Sequence, residues 1–175
     1  MSFRPAHLVA RFVRSFRGGR VGADDHAWIG SLLSPAELAL FDRMQRQDQL
    51  HSLAVARGVE SAIGDIAPEL HGVVFAAALL HDVGKSAAQL GTYGRVVATL
   101  SGLVGGHDLA DLWQRRSGFT RKVGLYLRYG EIGADMLRMA GSDPLVVAWS
   151  TEHHLGPDQW TMPIDAGEIL AAADG

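Results

Sequence analysis

The run Val73-Val74-Phe75-Ala76-Ala77-Ala78-Leu79-Leu80 is apolar at every position and closes on His81-Asp82-Val83-Gly84-Lys85. A helix that is apolar all round has to be covered on every side. This stretch therefore predicts a central helix with the others arranged around it. It also sets a requirement. An imidazole and a carboxylate at the inner end of a buried helix are costly unless each is paired or coordinates a metal. The rest of the chain must supply their partners.

The 175 residues are enough for one domain with a sizeable core. Cysteine is absent, which excludes disulfides and thiolate metal sites, so a metal would have to be held by His, Asp and Glu. Eight histidines are available. The net charge of −3 makes the whole molecule a poor attractor of nucleic acid, and no nucleic-acid partner is expected. The apolar run of eight residues from Val73 to Leu80 is the longest of its kind, far short of the roughly 20 needed to cross a bilayer. The first residues lack the apolar segment and cleavage site of a secretory signal. A cytoplasmic location is the expectation.

Residues 6–17 repeat apolar groups at Leu8, Val9, Phe12, Val13 and Phe16, which is one face of a helix. Arg4, Arg11, Arg14, Arg17 and Arg20 accompany it, and no acidic residue precedes Asp24. Such a basic amphipathic helix suits either contact with an anionic membrane surface or packing of its apolar face on the domain with its arginines in water. The second is the expectation. Residues 1–34 are read as this helix and a connector, which includes a short helix from Asp24 to Leu33.

Ser34-Pro35-Ala36-Glu37 then reads as a helix start: a capping serine, a proline suited to the first turn, and a glutamate able to complete a capping box. Polarity rises around Arg46 to Asp48, so a break is expected there, with a further helix from about Gln49 to Ile63 that carries His51 near its start. Pro68 opens the central helix, which stops at Gly84. Residues 92–106 read as a helix with Gly94, Ala98 and Gly102 four apart, and His107 to Arg116 as a short one. Arg115, Arg116, Arg121 and Lys122 form a basic loop. Lys122–Tyr129 and Glu131–Ala140 read as two helical pieces broken by Gly130. Asp143-Pro144 starts a helix that reaches His153-His154, and a last helix runs from about Asp165 to Asp174. No stretch alternates as a strand does. The fold class expected is all-α, a compact bundle of about eight short helices.

His51, His81 with Asp82, His153 with His154, and Asp174 thus lie at or near the ends of separate helices. In their order and local strings they resemble the H…HD…D signature of the HD-domain superfamily of metal-dependent phosphohydrolases. Asp48-Gln49-Leu50-His51-Ser52-Leu53-Ala54 resembles the first motif, and Ala78-Leu79-Leu80-His81-Asp82-Val83-Gly84-Lys85 closely matches the second. Glu131-Ile132-Gly133-Ala134 resembles the HPEIGA segment of the HDIG-type members. Glu152-His153-His154 and Ile169-Leu170-Ala171-Ala172-Ala173-Asp174 resemble the last two motifs. The likeness covers residues 35–175, which it implies are an HD domain.

The resemblance implies a metal held by His51, His81, Asp82 and Asp174. It implies hydrolysis of a nucleotide or other small phosphorylated compound by a metal-activated water. Asp82 would share the metal and orient the water, and Lys85 would hold the phosphate as a point charge. His153 and His154 would face the substrate or a second ion, and Glu152 is either an outer partner or, as is expected of a helix glutamate, solvated. The donor set suits a divalent transition metal such as Mn, Fe, Co, Ni or Zn. Tyr129 stands where the family has a histidine, so one ion is expected, with a second left open. The alternative reading is a catalytically weakened HD-fold module that binds a nucleotide and regulates a partner.

Overall fold

A computed structural model describes residues 19–88 and 128–175. The described residues form eight α-helical segments and three 3₁₀ turns, with no strand among them. The helices are α1 (Ala23–Leu32), α2 (Pro35–Arg43), α3 (Arg46–Glu60), α4 (His71–Leu80), α5 (Lys85–Ala88), α6 (Tyr129–Ala140), α7 (Pro144–Glu152) and α8 (Ile164–Asp174). The 3₁₀ turns are Ile63–Asp65, Pro68–Leu70 and Pro157–Gln159. The fold class is all-α, as expected. The basic helix at 6–17, the helices at 92–106 and 107–116 and the basic loop at 115–122 lie outside the described residues.

Helix α4 is the centre of the bundle. Helices α1, α2, α3, α7 and α8 all pack on it, and every residue from Val74 to Leu80 is buried. Each large side chain hidden in this way contributes about 1.5–3 kcal/mol relative to exposure. Ile29 and Leu33, from the segment read as connector, enter the same core.

Local chemistry sets the helix ends. At α2 the Ser34 hydroxyl accepts the Glu37 N–H at 3.3 Å and the Glu37 carboxylate accepts the Ser34 N–H at 2.9 Å, a complete capping box. At α7 the Asp143 carboxylate accepts the Leu145 N–H at 2.8 Å, with Pro144 in the first turn. Helix α3 begins at Arg46 rather than near Gln49, because the break falls on Met44 and Gln45, both extended. Asp48 then lies in the first turn, where the helix dipole favours a carboxylate. Polarity there marked a helix start rather than a gap.

Residues 122–127 of the helical piece read before Gly130 lie outside the described residues, and Gly130 itself lies within a helix. It sits in the first turn of α6, which runs on to Ala140. Its role is close approach: a Cβ at Gly130 would stand 2.9 Å from the Ser150 carbonyl oxygen, and one at Gly133 would stand 2.6 Å from the Ser150 hydroxyl. The Ser150 hydroxyl donates to the Gly130 carbonyl at 3.1 Å across that gap. On the same side of α6, the Gly84 backbone presses against Tyr129 and Gly133. Three glycines therefore let α6 lie flat against the end of the central helix and against α7. That contact places Tyr129 against Gly84 and Lys85, just after the His81-Asp82 pair.

Candidate metal centre

Three helices deliver the central residues. His51 comes from the second turn of α3, His81 caps the C-terminus of α4, and Asp174 is the last residue of α8. His51 Nε2 and Asp174 Oδ1 lie 2.8 Å apart, and His81 Nε2 lies 3.6 Å from the same oxygen. One donor atom from each of the three falls within 4.8 Å of the others, so this group could hold a metal ion. Asp174 is the end of an ordered helix, and its side chain is only 26% exposed.

Asp82 sits at the edge of this group. Its Oδ2 is 3.6 Å from His81 Nε2 and accepts from Lys85 Nζ at 2.5 Å, one helical turn on. Of the four ligands expected, three converge on one point. The fourth flanks them, tied to the lysine expected to hold the substrate.

The fit to a cation can be tested atom by atom. His81 Nδ1 lies 3.0 Å from the Ala78 carbonyl, which can only accept, so Nδ1 carries the proton and Nε2 of the neutral ring is a bare acceptor. His81 Nε2 and Asp82 Oδ1 are both buried and have no hydrogen-bond partner. Leaving such atoms unpaired costs about 1–3 kcal/mol each. A cation held by His51, His81 and Asp174 would satisfy His81 Nε2. An imidazole whose other nitrogen is fixed by a backbone carbonyl is also the usual form of a metal-ligating histidine. The three donors fit a metal ion.

The second pair of histidines stands alongside. The His81 ring lies 5.4 Å from that of His51 and 5.1 Å from that of His153, centroid to centroid. His153 is buried; its Nδ1 donates to the Trp149 carbonyl at 3.0 Å. His154 is exposed. The Tyr129 hydroxyl meets His153 Nε2 at 3.2 Å and His154 Nε2 at 2.6 Å, and Lys85 Nζ lies 4.7 Å from the centre of the Tyr129 ring. Sequence reading placed Tyr129 at a ligand position but did not foresee these contacts. The i, i+3 spacing of Gly130 and Gly133 was the available hint that this turn of α6 is closely packed.

Glu152 is neither an outer partner of the metal group nor free in water. Its carboxylate accepts the Thr161 N–H at 2.6 Å and the Thr161 hydroxyl at 2.7 Å. It ties the loop after α7 back to that helix. Trp160 on the same loop packs its ring against Gly167 of α8 and so supports the helix that ends in Asp174.

The charges are mutually adjusted. Burial raises the Asp82 carboxyl, but the charge His81 takes on when protonated, and then the charge and hydrogen bond of Lys85, outweigh it and hold the group at about 2. Burial likewise acts to raise Asp174, but the His51 hydrogen bond and the charge of His81 hold it well below the usual carboxylate range. His51 is raised: burial opposes this, and the hydrogen bond to Asp174 prevails. Burial lowers His153, with help from His81 and His154, to about 4. His154 is lowered too, chiefly by partial desolvation of its ring, although the residue stays exposed.

The His153 shift predicts a pH effect on the metal-free protein. In the unfolded chain His153 binds a proton near 6.5, and in the folded one only near 4. Between those values the unfolded state holds more protons, so stability is complete above about pH 6.5 and falls as the pH drops towards 4. His153 should account for up to about 3 kcal/mol of that loss. Urea denaturation at pH 7 and pH 4.5 should show a smaller loss for His153→Gln than for the wild-type chain.

Compared with known proteins, the chain matches no family model, no curated protein and no solved structure.

Proposed function

We propose that this protein is a metal-dependent phosphohydrolase of the HD-domain kind, acting on a nucleotide or another small phosphorylated compound. The observation that supports the reading is the buried, unpartnered Nε2 of His81, with Asp174 3.6 Å from it, the His51 ring alongside and Asp82 at the edge of the group. His51, His81 and Asp174 would hold the ion, with Asp82 completing the set. A divalent transition metal such as Mn, Fe, Co, Ni or Zn supplies a Lewis acid for phosphoryl oxygens and makes a bound water more acidic.

The chain's own groups do the rest. Asp82, anionic at neutral pH, can accept a hydrogen bond from the attacking water and so orient it. Lys85 bears on the phosphate as a point charge. Hydrolysis forms one P–O bond from water and breaks the ester P–O bond, so a proton must travel to the leaving oxygen. His153 and His154, both shifted below the ordinary imidazole value, stand with Tyr129 beside Lys85, where they can carry that proton.

A second reading is a binding module that holds a nucleotide without turning it over. One observation favours it: the Tyr129 hydroxyl already engages both imidazoles. A panel of phosphomonoesters and phosphodiesters, nucleotides included, assayed with Mn²⁺, Co²⁺ or Ni²⁺, separates the two. The enzyme reading expects phosphoester hydrolysis that a chelator stops and Asp82→Ala reduces on the order of 10³-fold. Tight nucleotide binding with no product from any metal would favour the module instead.

A further inference from the structure

Tyr129 is the first residue of α6, set against α5 and α7 by the glycine contacts at Gly84, Gly130 and Gly133. From there it touches three of the groups on the substrate side. Its hydroxyl lies within hydrogen-bonding distance of His153 Nε2, at 3.2 Å, and of His154 Nε2, at 2.6 Å. Its ring centre lies 4.7 Å from Lys85 Nζ, a cation–π distance.

The direction of these bonds follows from the backbone. The Trp149 carbonyl accepts from His153 Nδ1 at 3.0 Å, so the proton of the neutral ring is on Nδ1 and Nε2 is an acceptor. The Tyr129 hydroxyl therefore donates to His153. A hydroxyl has one hydrogen, so its oxygen is left to accept from His154, which must carry its proton on Nε2. The other nitrogen of His154, Nδ1, is then the unprotonated one. The Trp149 carbonyl thus sets the tautomer of His153, and the Tyr129 hydroxyl passes it on to His154 in the opposite sense.

We propose that Tyr129 is a positioning residue of this site: its hydroxyl holds His154 in the tautomer opposite to that of His153, and its ring steadies the Lys85 ammonium beside Asp82. The role given to those groups rests on the phosphohydrolase reading, whereas the tautomers rest on the contacts alone. The arrangement prepares His154 Nδ1 as a proton acceptor at the exposed edge of the site. It also keeps Lys85 from swinging away once its partner carboxylate is engaged elsewhere.

The test uses the full-length chain labelled with ¹⁵N, its imidazole signals assigned by His153→Gln and His154→Gln. Long-range ¹H–¹⁵N correlation spectra of the wild type should show His153 protonated on Nδ1 and His154 protonated on Nε2. Tyr129→Phe should leave His153 as it is, because the Trp149 carbonyl still holds it, and should turn His154 into an average of both tautomers. In hydrolysis of a phosphomonoester, Tyr129→Phe should lower kcat about tenfold, the worth of one hydrogen bond, with KM unchanged. Tyr129→Leu, which also removes the ring, should in addition raise KM about threefold through Lys85. A wild-type His154 protonated on Nδ1, or His154 shifts that Tyr129→Phe does not move, would overturn the proposal. If the wild type hydrolyses nothing, the phosphohydrolase reading fails and the imidazole shifts still decide the tautomer assignment.

Discussion

Gly84→Ala should lose more than about 4 kcal/mol of stability, an unusually large effect for the addition of one methyl group. The new Cβ would stand 1.8 Å from the Tyr129 carbonyl oxygen and 2.6 Å from the Gly133 nitrogen. Both obstacles are backbone, so no side chain can swing aside to relieve them. Overpacking that side chains can absorb costs about 1–3 kcal/mol. Here α6 would have to lift off the end of α4, undoing the Gly130 and Gly133 contacts with Ser150 and withdrawing Tyr129 from the histidines. Gly72→Ala is the control. It lies in the first turn of α4 with nothing within 4 Å of its would-be Cβ, and should be neutral or stabilising by up to about 1 kcal/mol. Circular dichroism during urea titration measures both. A Gly84→Ala midpoint close to that of the wild type would mean that α6 does not press on Gly84 as described.

His81→Ala should abolish metal retention and, with it, hydrolysis. His81 is 3% exposed and brings the bare Nε2 around which the other donors stand. Loss of a group that merely supports a ligand weakens metal binding about 10- to 100-fold. Loss of the central ligand itself should exceed that, on the order of 10³-fold, and activity should fall in proportion. The truncation also opens a cavity beside Asp82, so the metal-free variant should be less stable than the wild type. Elemental analysis after gel filtration, read beside the urea midpoint, separates lost ligation from lost fold. Retention of a full equivalent of metal by folded His81→Ala would remove His81 from the centre.

What could be read from the sequence was what local chemistry governs. Ser34, Pro35 and Glu37 announce the start of α2, and Asp143-Pro144 that of α7, because capping partners lie within three residues of one another. The apolar run at Val73–Leu80 marks α4 as central because no face of it can meet water. Other features depended on packing between distant segments. Gly130 reads locally as a breaker, yet it is kept small by Ser150, twenty residues on. Arg46 to Asp48 read as a gap because they are polar, and polarity is equally the mark of a helix's first turn. The meeting of His51 with Asp174 joins α3 to the end of the chain through the packing of α8 on α3 and α4. No local pattern carries that contact, and only the resemblance of the ordered motifs pointed to it. Tyr129 was legible as a departure from a motif. Its bond to two imidazoles was not, since that needs the exact seating of α6.

His51, His81 and Asp174, with Asp82 beside them, are proposed to hold one divalent metal. Calorimetric titration of the metal-free protein with Mn²⁺ or Zn²⁺ at pH 7.5 tests it most directly, in the wild type and in Asp174→Asn. One ion per chain in the wild type and none at the same concentrations in folded Asp174→Asn is the predicted result. No binding by the wild type, or equal binding by both, would contradict it.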